Sequence, residues 1–156
     1  METVMETTQY LTFKLDEEVF ALDVAKVREI LEESSITKVP QTPDYMRGVI
    51  NLRGSVVPVI DLRLKFGMSE TVKTVNTCII VTEVSMDGEN IVLGALADSV
   101  QEVIEMEPQQ IEAAPHIGTR LNTDFIRGMG KHDGRFVMIL DIDKIFSSEE
   151  LEAVIA

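Results

Sequence analysis

The sequence predicts a mainly β protein: two small, pseudo-symmetric five-stranded β-barrel lobes that share a core, carry short helices and end in a C-terminal helix. Three observations predict it. First, Arg53-Gly54, Asp87-Gly88 and Asp133-Gly134 each separate two short apolar runs, which is the pattern of strand, tight turn and returning strand. Second, Met46-Arg47-Gly48-Val49-Ile50 through Gly54 to Ile60-Asp61-Leu62 returns near the C-terminus as Ile126-Arg127-Gly128-Met129 through Gly134 to Leu140-Asp141-Ile142. The offset is constant, since 127 − 47, 128 − 48, 134 − 54 and 141 − 61 all equal 80. Third, Asp98-Ser99-Val100-Gln101-Glu102-Val103 echoes Ala25-Lys26-Val27-Arg28-Glu29-Ile30, with 100 − 27 and 102 − 29 both equal to 73. The chain reads as a duplicated β unit.

In chain order, residues 1–8 are polar and expected to fray. Leu11, Phe13 and Leu15 then alternate with polar residues at the period of a half-buried strand. Asp16-Glu17-Glu18 turns the chain, and Val19-Phe20-Ala21-Leu22 returns it. Asp23 is placed to cap a short helix, over which Val24, Val27, Ile30 and Leu31 form one apolar stripe at helical spacing. Ile36 to Pro40 reads as a short strand, and Pro43-Asp44 as a turn. In the repeated unit, Pro58 has no amide hydrogen to give a ladder, so its strand is expected to be an edge or to carry a bulge. Asp61 caps a helical turn over 62–66 that Gly67 ends in the left-handed conformation. Residues 68–75 are polar and mark the division between approximate lobes 9–70 and 76–146, with strands free to be exchanged between them.

The strongly strand-forming run 77–84, an Asp87-Gly88 turn and the run 91–96 make the next hairpin. Residues 107–123 are loop-rich, with Pro115 and Gly118. The second copy of the repeat follows, its Asp141 capping Ile142 to Phe146. Ser147 and Glu150 make a capping box for a terminal helix over 147–156.

Length and charge narrow the function. A chain of 156 residues with 45% hydrophobic content buries roughly 70% of its unfolded surface without a metal or disulfide staple. The one cysteine, Cys78, lies inside an apolar run and reads as an inert core thiol. A single cysteine allows no internal disulfide, which favours a reducing compartment. The acidic first residues lack a secretory signal pattern, and no apolar run reaches the ~18 residues of a membrane span. A net charge of −13 repels phosphate backbones, so nucleic acid is not an expected partner.

No cofactor, metal or catalytic constellation emerges. His116 and His132 are the only histidines, and neither stands at metal-ligand spacing. Gly128-Met129-Gly130-Lys131 lacks the full phosphate-loop spacing. Asp61 and Asp141 are conceivable as a carboxylate pair for a small acidic-site hydrolase, but each is explained as a helix cap. Protein contact remains. Arg47 and Arg53 stand out in apolar surroundings, and an exposed arginine beside apolar surface is a common interface anchor.

Arg47-Gly48-Val49-Ile50-Asn51-Leu52-Arg53-Gly54 followed by Val57-Pro58-Val59-Ile60-Asp61-Leu62, with Phe20-Ala21-Leu22-Asp23-Val24, Val27-Arg28-Glu29-Ile30, Val100-Gln101-Glu102-Val103-Ile104 and Pro115, resembles the CheW family of chemotaxis coupling proteins. The resemblance runs from Tyr10 to about Leu151. It implies a cytoplasmic, non-enzymatic adaptor joining the helical tip of a chemoreceptor to the regulatory domain of a CheA-type histidine kinase at membrane-associated arrays. It implies no cofactor, no nucleic acid and no direct membrane insertion. Carried over by position, the receptor contacts fall on Val27, Glu29, Gly48 and Arg53, with Ile30 and Val100 as apolar groove wall. The kinase face is left without residue assignments. The second copy has Lys131 and His132 where the first has Asn51 and Leu52, so the lobes are not expected to be interchangeable. A coupling protein for another receptor–kinase pathway is the alternative within the same class.

Overall fold

The computed structural model describes residues 7–32, 35–113 and 125–155. Of the frayed start expected for residues 1–8, residues 1–6 lie outside them, as do Pro115, His116 and Gly118, whereas Thr8 already belongs to the first strand. Within them the chain is mainly β, as the sequence predicts. Thr8–Leu15 (β1) and Glu18–Asp23 (β2) form the first hairpin, followed by a 3-10 turn at Val24–Lys26 and the strand Val27–Glu32 (β3). Met46–Leu52 (β4) and Ser55–Asp61 (β5) form the next, ending in the one-turn helix Leu62–Lys65 (α1). Cys78–Met86 (β6), Glu89–Ala97 (β7) and Ser99–Met106 (β8) follow; a 3-10 turn at Pro108–Gln110 leads to Ile111–Glu112 (β9). Ile126–His132 (β10) and Arg135–Leu140 (β11) make the last hairpin, before a 3-10 turn at Ile142–Lys144 and the helix Ser148–Ile155 (α2).

Two sheets result, ordered β8-β1-β2-β11-β10-β9 and β3-β6-β7-β5-β4. They cut across the division into 9–70 and 76–146. The repeat pairs the hairpin β1–β2 with β6–β7, β3 with β8, and β4–β5 with β10–β11. Yet β1 pairs with β8 and β2 runs parallel to β11, while β6 pairs with β3 and β7 runs parallel to β5. Each half therefore lends its leading hairpin to the other half's sheet. The repeat extends to backbone detail. Asp61 N–H donates to the Tyr45 carbonyl at 2.6 Å and Asp141 N–H to the Phe125 carbonyl at 2.7 Å, and 125 − 45 is again 80. Both hairpins shift register at the residue before the repeated glycine, between Met46 and Gly48 and between Ile126 and Gly128.

Strand alternation sorts the side chains into three cores. Tyr10, Ala21, Ile104, Met106, Val137 and Ile139 cluster within the first sheet. Ile50, Val57, Val59, Ile79, Val81 and Leu96 cluster within the second. The residues of opposite parity, among them Phe13, Phe20, Leu22, Ile60, Ile80, Ala95 and Leu140, join Leu62, Phe146, Leu151 and Val154 in the largest cluster, between the sheets. Fully burying a side chain of this size contributes about 1.5–3 kcal/mol, so the shared middle core binds the sheets together.

Four local expectations change. The stripe Val24–Leu31 is not a helix. Asp23 caps only a 3-10 turn, accepting from Ala25 N–H at 2.9 Å, after which β3 alternates half-buried and exposed residues along β6. The apolar positions 24, 27, 30 and 31 fit the helical period better than strict alternation, yet the neighbouring ladder of β6 decides for strand. The strand expected over Ile36–Pro40 reduces to one bridge, Thr37 to Val49. Pro58 does not sit on an edge, since β5 lies between β4 and β7, and the irregularity of the β4–β5 pair falls opposite Val59 and Ile60, one residue past it. Its missing amide hydrogen still costs little. Its partner Val49 directs both backbone groups at Thr37 rather than at β5, and pairing with β7 starts only at Val59. Finally, the helical turn expected over 142–146 is a 3-10 turn, although Asp141 caps it as predicted, accepting from Asp143 N–H at 3.2 Å.

The remaining punctuation falls where the sequence places it. Asp61 caps α1, Gly67 follows at φ +80°, and Ser147 and Glu150 bond reciprocally at the start of α2.

Candidate functional site

Arg53 begins the turn between β4 and β5. It adopts φ +50° and Gly54 φ +88°, the left-handed pair of a two-residue hairpin turn. The equivalent first positions of the other three hairpin turns, Asp16, Asp87 and Asp133, are all aspartates with φ of 51 to 58°. Aspartate tolerates this conformation because its short carboxylate bonds the local backbone; arginine has no such compensation. In this turn the local bond comes instead from Asn51, whose side-chain oxygen accepts from Gly54 N–H at 2.8 Å. A residue kept at a disfavoured backbone position points to a role for its side chain.

That side chain reaches across to β3. Arg53 Nη1 donates to Glu29 Oε1 at 3.3 Å, and Nη2 donates to Oε2, a two-pronged pair that fixes the planar guanidinium against the carboxylate. The hydrogen bond from Arg53 holds the Glu29 carboxyl below its ordinary range despite some opposing burial, and the same bond raises Arg53. The pair is intact above the usual carboxylate range and is lost as pH falls through the lowered value. Arg53 remains 72% exposed, whereas the Glu29 side chain is mostly covered. The pair also joins the edge strand β3 to the β4–β5 turn, so the second sheet curls until its first and last strands approach.

Beside the pair lies a groove of about 900 Å³ whose wall includes Val39, Val49, Val56, Pro58 and Ile91. Val56 is 72% exposed. Glu29 and Arg53 line this groove; Val27, Ile30, Gly48 and Val100 do not. Val27 and Val100 are half-buried against the middle core, on β3 and β8 of different sheets. Ile30 is exposed on the outer face of β3. Gly48 is buried in β4, where a Cβ would stand 2.2 Å from the Thr37 carbonyl oxygen. The structure thus brings Glu29 and Arg53 together at the groove and leaves the other four outside its wall, with Val27 and Val100 sharing the middle core.

Arg47 is no surface anchor. It faces inward, with Nη1 3.3 Å from Asp61 Oδ2, 2.9 Å from Glu70 and 3.3 Å from the Thr71 carbonyl. Asp61 itself has no exposure. Its two oxygens accept from Arg63 N–H, Thr71 N–H, the Thr71 hydroxyl and Arg47. A carboxylate so enclosed has no lone pair directed at solvent for acid–base work. Cys78 is buried, and burial pushes its thiol above its ordinary value, as expected of an inert core cysteine. Among the described residues no helix is long and apolar enough to cross a membrane.

The position of Arg53 at a hairpin end was legible from its place before the turn glycine. Its partner was not, because 24 residues and a sheet closure separate Glu29 from it. The groove wall is not legible in the sequence either. Val39 comes from the loop before β4 and Ile91 from β7, far from each other in sequence, so only folding assembles them.

Comparison with known proteins follows the same lines. The family model described as the CheW-like domain matches residues 9–150. The chain is 37% identical to the chemotaxis protein CheW of Klebsiella aerogenes over 94% of its own length and 86% of that protein. It is 33% identical to the chemotaxis protein CheW of Rhizobium meliloti, covering 93% and 91% of the two chains. Among solved structures, the scaffolding protein TtCheW from Thermoanaerobacter tengcongensis superposes with a TM-score of 0.81 at 34% identity, over 93% of this chain and 96% of the other.

Proposed function

The chain belongs to the CheW-like domain family, and on that premise we propose that it is a non-catalytic adaptor coupling chemoreceptor tips to a CheA-type histidine kinase in bacterial chemotaxis arrays. Its place of work is then the cytoplasmic face of a receptor-bearing membrane. The observation that carries the site assignment is Arg53, held by Glu29 in a backbone conformation that arginine does not favour, at the rim of an apolar groove. A receptor tip is a helical hairpin, and an amphipathic helix laid in a groove needs apolar wall with a polar clamp at its edge. Arg53 and Glu29 supply the clamp. Val27, Ile30 and Val100 are the further apolar contacts of this reading. Gly48 enters through the backbone path it permits.

Reconstitution tests the coupling. With a cognate receptor in membranes and the kinase present, adding this protein is expected to raise receptor-dependent kinase autophosphorylation well above the level without it. Equal phosphorylation with and without the protein would remove the coupling function.

A single substitution tests the clamp. Arg53→Glu sets like charges together at the groove rim and is expected to weaken receptor binding by about tenfold or more. The melting temperature should barely move, because an exposed ion pair contributes little to stability. Unchanged affinity in a sedimentation assay would take Arg53 out of the contact.

A further inference from the structure

The internal repeat invites comparison of equivalent positions in the two sheets, and at one of them the charges do not balance. The offset of 73 carries Glu29 of β3 onto Glu102 of β8, and the offset of 80 carries Leu52 and Arg53 onto His132 and Asp133. In the second sheet this place holds the Glu29–Arg53 ion pair, which ties the edge strand to the hairpin turn. In the first sheet the edge-strand carboxylate is kept, but a second carboxylate stands where the guanidinium would be, at nearly the same backbone geometry (φ 51° for Asp133 against 50° for Arg53). Between the two carboxylates sits an imidazole in place of a leucine. His132 Nε2 lies 3.3 Å from Glu102 Oε1 and 3.4 Å from Asp133 Oδ2, and the three donor atoms are all within 4.8 Å of one another. Two like charges held at one spot repel, and where one lobe places the Arg53 guanidinium the other places the Asp133 carboxylate.

We propose that Glu102, His132 and Asp133 bind a divalent transition-metal ion of the zinc class, which closes β8 onto the β10–β11 turn as the Glu29–Arg53 pair closes β3 onto the β4–β5 turn. The geometry suits that ion. Ligands at about 2.0–2.1 Å from a tetrahedral centre are separated by about 3.3–3.4 Å, which matches both distances from His132 Nε2. The donor set of one imidazole and two carboxylates also suits it: the nitrogen selects against magnesium and calcium, which take oxygen ligands. The fourth position is left to water or to a side chain of a docked partner. The site is not legible as a motif, because its ligands come from β8, β10 and the following turn. His132 and Glu102 stand 30 residues apart. The proposal rests on the repeat and on these distances, and not on the adaptor reading.

Calorimetric titration of the full chain with Zn²⁺, with Mg²⁺ as the contrasting ion, is the test. Saturable binding of one Zn²⁺ per chain is expected, with no comparable Mg²⁺ response. His132→Gln should weaken Zn²⁺ binding by about tenfold or more, since even outer-shell changes cost that much, while His116→Gln leaves it unaltered. The most telling variant is Asp133→Arg, which rebuilds the arrangement of the other lobe. It should abolish the Zn²⁺ response while the metal-free protein melts no lower than the parent. Absence of saturable Zn²⁺ binding, or affinity unaffected by His132→Gln and Asp133→Arg, would overturn the site.

Discussion

Gly48→Ala is expected to be among the most destabilising single substitutions in the chain, lowering stability by about 3 kcal/mol or more. Two costs coincide there. Gly48 has φ +144°, a backbone region that residues with a Cβ rarely enter. The added Cβ would also stand 2.2 Å from the Thr37 carbonyl oxygen and 2.7 Å from its carbon. Those are backbone atoms of the bridge that joins the 36–40 segment to β4, so no flexible side chain can swing away. Gly54 is the control: it too has positive φ, but nothing lies within 4 Å of its Cβ position, so Gly54→Ala should cost only about 1 kcal/mol. Urea unfolding of the two variants measures the difference, and equal midpoints would show that the 36–37 segment yields without cost. The result also bears on function. A loss of receptor binding in Gly48→Ala would reflect a displaced β4, whereas Arg53→Glu changes the contact and leaves the backbone alone.

Asp61→Ala is expected to cost about 3–4 kcal/mol, because it strands four donors at a fully buried position. Asparagine should not rescue it. Oδ1 faces Arg63 N–H and the Thr71 hydroxyl, and Oδ2 faces Thr71 N–H and Arg47 Nη1. Whichever way an amide is turned, its NH2 meets two donors, so Asp61→Asn should lose well over half as much as Asp61→Ala. A melting temperature restored by Asn would show that only one oxygen matters. The same variant separates adaptor from hydrolase. In an adaptor Asp61→Asn lowers stability with nothing else to lose, whereas a hydrolase built on Asp61 would lose turnover. Thr71 explains the energetic weight of this aspartate. Through it, Asp61 anchors the irregular stretch between α1 and β6, in which Val72 and Val75 stand exposed.

What the sequence reveals about this fold is whatever is settled within about ten residues. The hairpins at Arg53-Gly54, Asp87-Gly88 and Asp133-Gly134, the aspartate caps and the left-handed Gly67 depend on local backbone chemistry, and each lies where the residues place it. The ambiguous stretch Val24–Leu31 shows the limit of periodicity, since its apolar residues fit a helix until β6 arrives to pair with them. Pro58 shows another limit. The rule that proline avoids interior strands holds for the missing hydrogen bond and not for the strand, and only the register of both neighbours reveals that the bond was never needed. The site divides in the same way. Arg53 was visible beside its turn glycine; Glu29 as its partner, and Glu102 beside His132, depend on sheet closure that no local pattern encodes.

The exchange of leading hairpins has a kinetic and mechanical consequence. Neither half of the chain can complete its own sheet: β1 and β2 find their neighbours roughly eighty or more residues downstream, while β6 and β7 find theirs upstream. Folding must therefore wait for distant segments to meet, a slow route governed by chain closure rather than by local propensity. Once closed, the halves are laced through one another. A pull on one lobe is borne by strands rooted in the sequence of the other, so the two cannot separate like beads on a string, and a load applied at the Arg53 turn reaches the far sheet through continuous backbone.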